Sequence, residues 1–343
     1  MNTLVKFLKD WMLVVGMVVG ASLYLIYYNI EPLHFAGPFL NKAVAVVQPL
    51  LLFLMLFMTF CRIEPKQMKP HRWHWWLLLV QGGSFTVMGL AAWAILNLAP
   101  VGHHESVVLL ESGMLCMICP TATAAAVVTG KLGGDVAGVT TYTILINILT
   151  AVLVPLIVPL IQPMDGMTFW SAFSIILAKV FPLLIMPCVS AWIIRYLFPK
   201  LHSFLLRFPN IPFYIWAISL TIAIAVSTKL IVKSKMSVTL LLLIGLVSLV
   251  GCIIQFAIGK YIGSSYKSSK IGISEESERR GRAIRRVTAG QALGQKNTVF
   301  AIWMGYTFMT PESAIVGGLY SIWHNLFNTW QLHRVAKRGA TKG

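Results

Sequence analysis

Charged residues are scarce in this sequence. Only 11% of the 343 residues are charged, whereas 57% are hydrophobic and the mean hydropathy is +0.76. Soluble globular domains are roughly 25% charged, so the composition excludes a soluble globular protein. It predicts an all-α polytopic membrane protein that lies in the lipid bilayer.

Acidic residues are particularly few. The chain has 11 Asp and Glu against 28 Lys and Arg, which gives a formal net charge of +17. The basic residues fall between hydrophobic runs and do not cluster with interleaved aromatic residues, so we expect no nucleic-acid partner. This distribution is typical of positive-inside topology and of attraction to anionic lipid.

Catalytic and metal-binding motifs are also missing. The sequence has no H-E-x-x-H, no G-x-S-x-G and no paired intramembrane Asp, so an enzyme is not expected. Cys116 and Cys119 have C-x-x-C spacing, but no second pair and no neighbouring His complete a zinc site. We therefore expect neither a metal centre nor a cofactor.

What the sequence has instead is hydrophobic runs, each close to the roughly 20 residues that cross a bilayer. They lie near 11–28, 43–61, 74–97, 106–130, 136–161, 169–194, 211–230, 236–260, 287–308 and 313–333. Ten spans place both termini on one side. With that side cytoplasmic, nearly all Lys and Arg fall inside, including those of a cytoplasmic loop at 263–286. The charge pattern predicts a multi-pass protein of the inner (plasma) membrane with both termini cytoplasmic.

A few lysines do not follow this pattern. Lys229, Lys233 and Lys235 fall outside, either as snorkelling residues at two span ends or as a basic vestibule that attracts anions. Lys179 lies near the middle of the sixth run and has no assigned role.

Two of the runs are interrupted. Pro120 removes a backbone donor in the fourth run and clashes with the preceding turn, so the helix should break there. The ninth run should break near Gly294. The two runs are five apart, as two inverted five-helix repeats require, and corresponding broken helices mark a binding site at the membrane midplane.

Lys296 stands in the second break, within an otherwise apolar run from Gln291 to Tyr306. An intramembrane lysine is costly and indicates a functional site, and the second half of each broken helix presents a partly positive N-terminus. We predict an anion site there, unless Pro120 only kinks a packed helix and Gly294 only eases a crossing. The expected substrate-binding residues at the breaks are Thr121, Thr123, Gln295, Lys296, Asn297 and Thr298.

At these residues the chain resembles the bile acid:sodium symporter family over nearly its whole length. The family's fourth-span CPGGTASNVVT is close to CPTATAAAVVT at 119–129, and its GDVA is matched at 134–137. Its ninth-span EVGMQNSGLA aligns with ALGQKNTVFA at 292–301, and its last-span SVWHNL aligns with SIWHNL at 321–326. His324 and Asn325 of this last motif are further candidates for substrate binding, although such residues more often pack between helices.

The resemblance implies one membrane transporter domain, 1–343. Its core (about 74–161 and 236–333) would hold crossed broken helices four and nine and move against a panel (about 11–61 and 169–230). It implies transport of an organic anion by alternating access, and we expect a monomer. Bile-acid-like compounds, steroid sulfates, pantoate-like acids and keto acids are the expected substrates.

The differences from the family pattern fall on the sodium ligands. Four aligned positions have lost their side-chain oxygens, and the family's Gln is replaced by Lys296, which cannot ligate a cation while protonated. We therefore expect sodium-independent transport in which Lys296 replaces the cation. The residual sodium-site positions are Gln81, Ala125, Ala126, Val139, Thr143 and Ala292.

Several alternatives stay open. Since burial disfavours the charged form of a lysine, Lys296 could carry a proton during transport. Otherwise it is a permanently charged structural lysine that pairs with backbone carbonyls and holds the crossing together, or some sodium coupling remains. Glu111, a second candidate for proton coupling, either lines an outward-facing cavity, pairs with Lys179 or Lys296, or lies hydrated near the interface. The other functions considered are a sodium-coupled symporter with a degenerate site and a non-transporting ligand sensor with the 263–286 loop as output.

Overall fold

The computed structural model of the chain describes residues 12–98, 102–164, 166–208, 211–233, 236–266 and 274–340. Its regular elements within these ranges are helices, and the single strand-like contact there is an isolated antiparallel bridge between Thr121 and Lys296. The prediction of an all-α protein is confirmed.

The α-helices of the described residues follow the predicted runs closely. Each run lies on one helix or on a consecutive pair. The helices are α1 (Met12–Asn29), α2 (Gly37–Phe60), α3 (Arg72–Leu98), α4 (His104–Ile118), α5 (Ala124–Lys131), α6 (Val136–Ile161), α7 (Phe169–Leu184), α8 (Met186–Leu197), α9 (Pro199–Leu206), α10 (Ile211–Lys233), α11 (Val238–Ser265), α12 (Glu275–Gly294), α13 (Thr298–Phe308) and α14 (Ile315–Ala340). Short 3-10 helices occupy Glu31–Ala36, Pro65–Gln67 and Pro311–Ala314.

Length and hydropathy identify several of these elements as membrane spans. Five described segments are long and apolar enough to cross a membrane, and α7 with α8 makes a sixth if this pair, bent by 40°, is counted as one span. The bend was not predicted; it lies between Pro182 and Pro187, which interrupt the helical hydrogen bonds there. The chain is thus a multi-pass membrane protein. The five segments are Glu31–Phe60, Arg72–Leu98, Val136–Ile161, Tyr214–Lys233 and Val238–Ser265.

The predicted loop at 263–286 is helical at both of its ends. Helix α11 continues to Ser265 and α12 begins at Glu275, while residues 267–273 lie outside the described residues. The Ser274 hydroxyl caps α12 by accepting from the N–H of Ser277 at 3.3 Å. Three glutamates in the first turn add favourable charge at this helix N-terminus.

The helices pack in two sets that meet where α6 packs on α7 and at α13. Helices α1 and α2 pack on α10, and α2 also contacts α7 and α8. Helix α3 packs on α4 and α6, helix α11 packs on α12 and α14, and α4 contacts α11. Helix α13 contacts α14 as well as α2 and α10.

Glycines allow two of these contacts to be very close. A Cβ atom on Gly259 of α11 would lie 2.4 Å from the carbonyl oxygen of Ala289 in α12, and one on Gly263 would lie 2.3 Å from that of Arg285. A Cβ atom on Gly20 of α1 would lie 2.3 Å from the carbonyl oxygen of Thr221 in α10. Small residues at regular spacing thus let backbones touch, as is common between membrane helices.

Candidate functional site

Both predicted breaks are present. Helix α4 ends at Ile118, because Cys119 precedes a proline and adopts an extended conformation with ψ of 130°. Helix α12 ends at Gly294, and α13 begins after Asn297, whose Oδ1 accepts from the N–H of Phe300 at 3.2 Å.

The two broken spans cross at these breaks. The N–H of Ala122 donates to the carbonyl of Gln295 at 3.0 Å, and the N–H of Asn297 donates to the carbonyl of Pro120 at 2.8 Å. Together these bonds make the isolated bridge between the two non-helical segments. Backbone groups that no helix satisfies are therefore paired with each other in the interior.

The C-terminal end of α4 is surrounded by side-chain donors from three other helices and from the break between α12 and α13. Its last carbonyls would otherwise lack partners, and the helix dipole gives this end partial negative charge. The Lys296 ammonium adds the single formal positive charge of the set. The carbonyl of Cys116 accepts from Gln255 at 3.1 Å, that of Met117 from Lys296 at 3.1 Å, that of Ile118 from Thr150 at 3.0 Å, and that of Cys119 from Gln81 at 3.0 Å.

The matching end of α12 has neutral donors instead. The Thr121 hydroxyl donates to the carbonyl of Ala292 at 2.7 Å, and the Tyr320 hydroxyl donates to that of Gly294 at 2.9 Å. The positive charge at the crossing is therefore directed to the end of α4. The sequence offered the pairing of Lys296 with backbone carbonyls as one alternative, and this contact is present. The other three donors at this helix end were not predicted, although isolated polar residues in apolar runs were their signal.

Lys296 has little free space around it. Its side chain is 2% exposed and borders a cavity of about 10 Å³ shared with Cys119, Thr298 and Tyr320. That volume is about enough for one water molecule. In this conformation the ammonium contacts protein carbonyl oxygen, and a substrate would not fit beside it.

The other predicted substrate-binding residues lie in or near the crossing. Thr121, Gln295, Asn297 and Thr298 are buried with Lys296, while Thr123 is half-buried at the start of α5. Their role in substrate binding stays a prediction.

The last-span candidates lie on α14. His324 is buried beside the Tyr320 ring, and Asn325 donates to the carbonyl of Ser321 in its own helix at 2.8 Å. Both contacts are within one helix, so they do not by themselves indicate a substrate contact.

The residual sodium-site positions have become part of the core. Ala125, Val139 and Ala292 lie in one buried apolar cluster, and Ala126 packs against it. The Thr143 hydroxyl donates within its own helix. No group of three His, Cys, Asp or Glu among the described residues is placed to hold a metal ion.

Gln81 is the sodium-site residue that keeps an amide oxygen. This oxygen accepts from the Tyr142 hydroxyl, while the amide nitrogen donates to the carbonyl of Cys119. Both the oxygen and the nitrogen of the Gln81 amide therefore have hydrogen-bond partners within the protein, beside the crossing.

Glu111 is fully buried on α4 and does not pair with a lysine in the described structure. Its Oε1 accepts from Gln162 Nε2 at 2.7 Å, and its Oε2 accepts from the N–H of Thr310 at 2.9 Å. Of the alternatives left open for Glu111, the ion pair with Lys179 or Lys296 is therefore absent from the described structure, and the carboxylate is buried instead of lying hydrated near the interface. The Lys179 ammonium lies instead 5.5 Å from the centre of the Phe308 ring.

A large cavity lies between α1, α2, α7, α10 and α13 and has a volume of about 630 Å³. Lys179, Lys229 and Lys233 line it, and its described lining residues include no Asp or Glu. It is bordered by the C-terminal half of α1 and the N-terminal half of α2, which meet on the outer side of the predicted topology. We call it the basic cavity.

The basic cavity bears on the role of Lys229 and Lys233, which the sequence left open between snorkelling and a vestibule. The placement of Lys229 and Lys233 in its wall favours the vestibule over snorkelling, while Lys235 lies outside the described residues. The cavity was not predicted as a site from the sequence, because its walls come from five helices that range along the chain from α1 to α13.

Comparison with known families agrees with this architecture. The sequence model of the Sodium Bile acid symporter family matches residues 49–258, more than half of the chain. Comparison with individual curated proteins gives no significant match. The matched region includes the fourth span with its break, the sodium-site positions from Gln81 to Thr143, and α10 with its lysines. The chain belongs to the sodium bile acid symporter family, a family of membrane transporters.

Proposed function

We propose that this protein is a secondary active transporter of organic anions that works by alternating access. The observation that carries this proposal is the basic cavity, which has three lysines and no described carboxylate in its wall. Clefts lined by one sign of charge concentrate ligands of the opposite sign. The cavity volume of about 630 Å³ lies within the range of small-molecule sites.

The proposed architecture is ten spans in two inverted five-helix repeats, with a core that rocks against a panel. Asp135 and Thr310 each lie 14 residues after their own member of the Thr121–Lys296 bridge. The N–H of Asp135 donates to the Thr288 hydroxyl on α12 at 2.8 Å, and the N–H of Thr310 donates to Glu111 on α4 at 2.9 Å. Such reciprocal contacts support two structurally related halves.

Transport is proposed to be independent of sodium, with Lys296 in place of the cation. The support is physical: an ammonium already occupies the negative end of α4, and the aligned ligand positions are packed as an apolar cluster. A metal cation would have to replace these contacts with several oxygen ligands. We further propose a monomer in the inner (plasma) membrane with both termini cytoplasmic.

Uptake into liposomes tests this function. Purified protein would be reconstituted with pH and sodium gradients imposed separately, and uptake of a labelled bile acid, a steroid sulfate and a keto acid would be measured. We expect saturable uptake of at least one acid when choline replaces sodium at fixed ionic strength. A saturable sodium dependence of more than a few-fold would contradict sodium independence and favour the degenerate symporter.

Two further results would separate the remaining alternatives. Tight binding of an acid without uptake of any would favour the sensor. Sodium-dependent uptake that emerges in the double variant Lys296→Gln, Ala292→Glu would support the interpretation that the lysine stands at a former cation position; the matched control is the single variant Ala292→Glu, in which the ammonium remains.

A further inference from the structure

We propose that the basic cavity selects an elongated organic dianion, with two anionic groups joined by an apolar body. This inference rests on the proposed function, because it assumes that the basic cavity is the substrate site.

The first observation is the charge of the cavity wall. Its lysines have neutral neighbours: the Lys229 ammonium donates to Asn41 Oδ1 at 2.7 Å and lies 5.8 Å from the Tyr306 ring centre. Lys179 lies beside the Phe308 ring, and neither lysine has an ion-pair partner among the described residues. A monoanion would neutralise one of these groups and leave the others uncompensated.

The second observation is the length of the cavity. Along α10 its wall runs from Thr221 to Lys233, and along α2 it runs from Gly37 to Pro49. Each stretch covers 12 helical steps, or about 18 Å at the rise of an α-helix. The site is therefore elongated.

The third observation is the distribution of the lysines over this length. Lys229 and Lys233 lie in the last turns of α10, whereas Lys179 lies ten residues inside α7, counted from its first residue. The lysines therefore reach the cavity from different helices, with Lys229 beside the Tyr306 ring and Lys179 beside the Phe308 ring. Apolar side chains such as Leu23, Val44 and Ile302 line the rest of the cavity.

Two buried donors of the cavity wall have no partner among the described residues. They are Gln48 Nε2, on a residue 3% exposed, and Tyr24 Oη, on a residue 8% exposed. Both residues line the basic cavity. A buried donor without an acceptor is costly, so these groups indicate a ligand oxygen. One anionic group would be neutralised by Lys179 and the other by Lys229 and Lys233, and Gln48 and Tyr24 would donate to ligand oxygens.

Three compounds of equal chain length test the charge requirement. Decanedioate is a dianion, its monomethyl ester is a monoanion, and its dimethyl ester is neutral. Their affinities would be measured by calorimetry on protein in lipid nanodiscs, for the wild type and for Lys179→Gln and Lys229→Gln. The matched control is Lys42→Gln, since Lys42 is an exposed lysine of α2 that is not part of the cavity wall.

We expect decanedioate to bind the wild type at least tenfold more tightly than the monoester. Either cavity variant should reduce this ratio to less than threefold, whereas Lys42→Gln should leave it unchanged. A wild-type ratio below twofold, or a ratio unchanged in both cavity variants, would overturn the inference. Because two variants are used, misfolding of one leaves the comparison intact.

The same measurements distinguish this inference from the proposed function. If the monoester binds at least tenfold more tightly than the dimethyl ester but decanedioate gains nothing more, the dianion inference fails and the organic-anion site stands. If neither anion binds more tightly than the dimethyl ester, the proposed function fails as well.

Discussion

Lys296→Met and Lys296→Gln separate the hydrogen bond of this residue from its charge. The Lys296 ammonium donates to the carbonyl of Met117 at 3.1 Å, and its side chain is 2% exposed. Glutamine keeps a donor without a charge. Methionine has a similar length and keeps neither.

The difference in stability between the two variants isolates the hydrogen bond. Both lose the attraction between a cation and a helix C-terminus, worth up to ~2 kcal/mol in partly buried geometries, and both are relieved of burying an ammonium. Only methionine leaves the Met117 carbonyl without a partner, which costs about 1–3 kcal/mol. We expect the methionine variant to be less stable than the glutamine variant by that amount.

Thermal unfolding of the purified variants and uptake into liposomes measure the two effects separately. Both variants should lose uptake, because the charge at the end of α4 is gone, and the glutamine variant should unfold close to the wild-type temperature. Equal stability of the two variants would refute the role of the hydrogen bond. Wild-type uptake by Lys296→Gln would refute the replacement of a cation by the lysine.

Lys296→Arg is the test of proton transfer at this position. A guanidinium keeps its proton, and it is larger than the free volume of about 10 Å³ beside Lys296. We expect it to lose uptake and to lower the unfolding temperature through overpacking. An active arginine variant whose rate varies with pH as in the wild type would exclude a proton-carrying lysine.

Two further predictions use matched pairs and thermal unfolding. Thr121→Val should destabilise the protein by about 1–3 kcal/mol, because the carbonyl of Ala292 loses its donor. Thr143→Val should be nearly neutral, because the Thr143 hydroxyl bonds within its own helix. Equal losses of stability in the two variants would contradict the importance of the crossing. Gly259→Ala should destabilise by about 1–3 kcal/mol, since its Cβ would lie 2.4 Å from the backbone of α12. The matched control is Gly83→Ala, which has open space around its Cβ and should be neutral or stabilising by up to ~1 kcal/mol. Equal melting temperatures of Gly259→Ala and Gly83→Ala would show that the α11–α12 contact can relax.

Local sequence features predicted much of the fold. The hydrophobic runs predicted the helices, because each long helix satisfies its own backbone in lipid. Pro120 and Gly294 predicted the breaks, since their backbone properties act within one or two turns. The bend at Ile185 was missed although it has the same local cause, the prolines on either side of it.

Contacts between segments distant in the sequence were harder to predict. The pairing of Lys296 with Met117 joins residues 179 positions apart, and the partner of Glu111 is a backbone N–H 199 positions away. The sequence therefore identified Lys296 as important but left open whether its charge meets an anion or backbone carbonyls. In the structure this charge lies at the carbonyl end of α4.

By itself the sequence determined an all-helical membrane protein with two broken spans and a buried lysine, because hydrophobicity and backbone preference are properties of neighbouring residues. Only the tertiary structure decided which groups meet the lysine and where the binding space lies. The basic cavity exists because five helices pack around it, and Lys179 and Lys229 approach it from two of them. Their charges add in one space, and that sum depends on distances in three dimensions, which sequence spacing does not set.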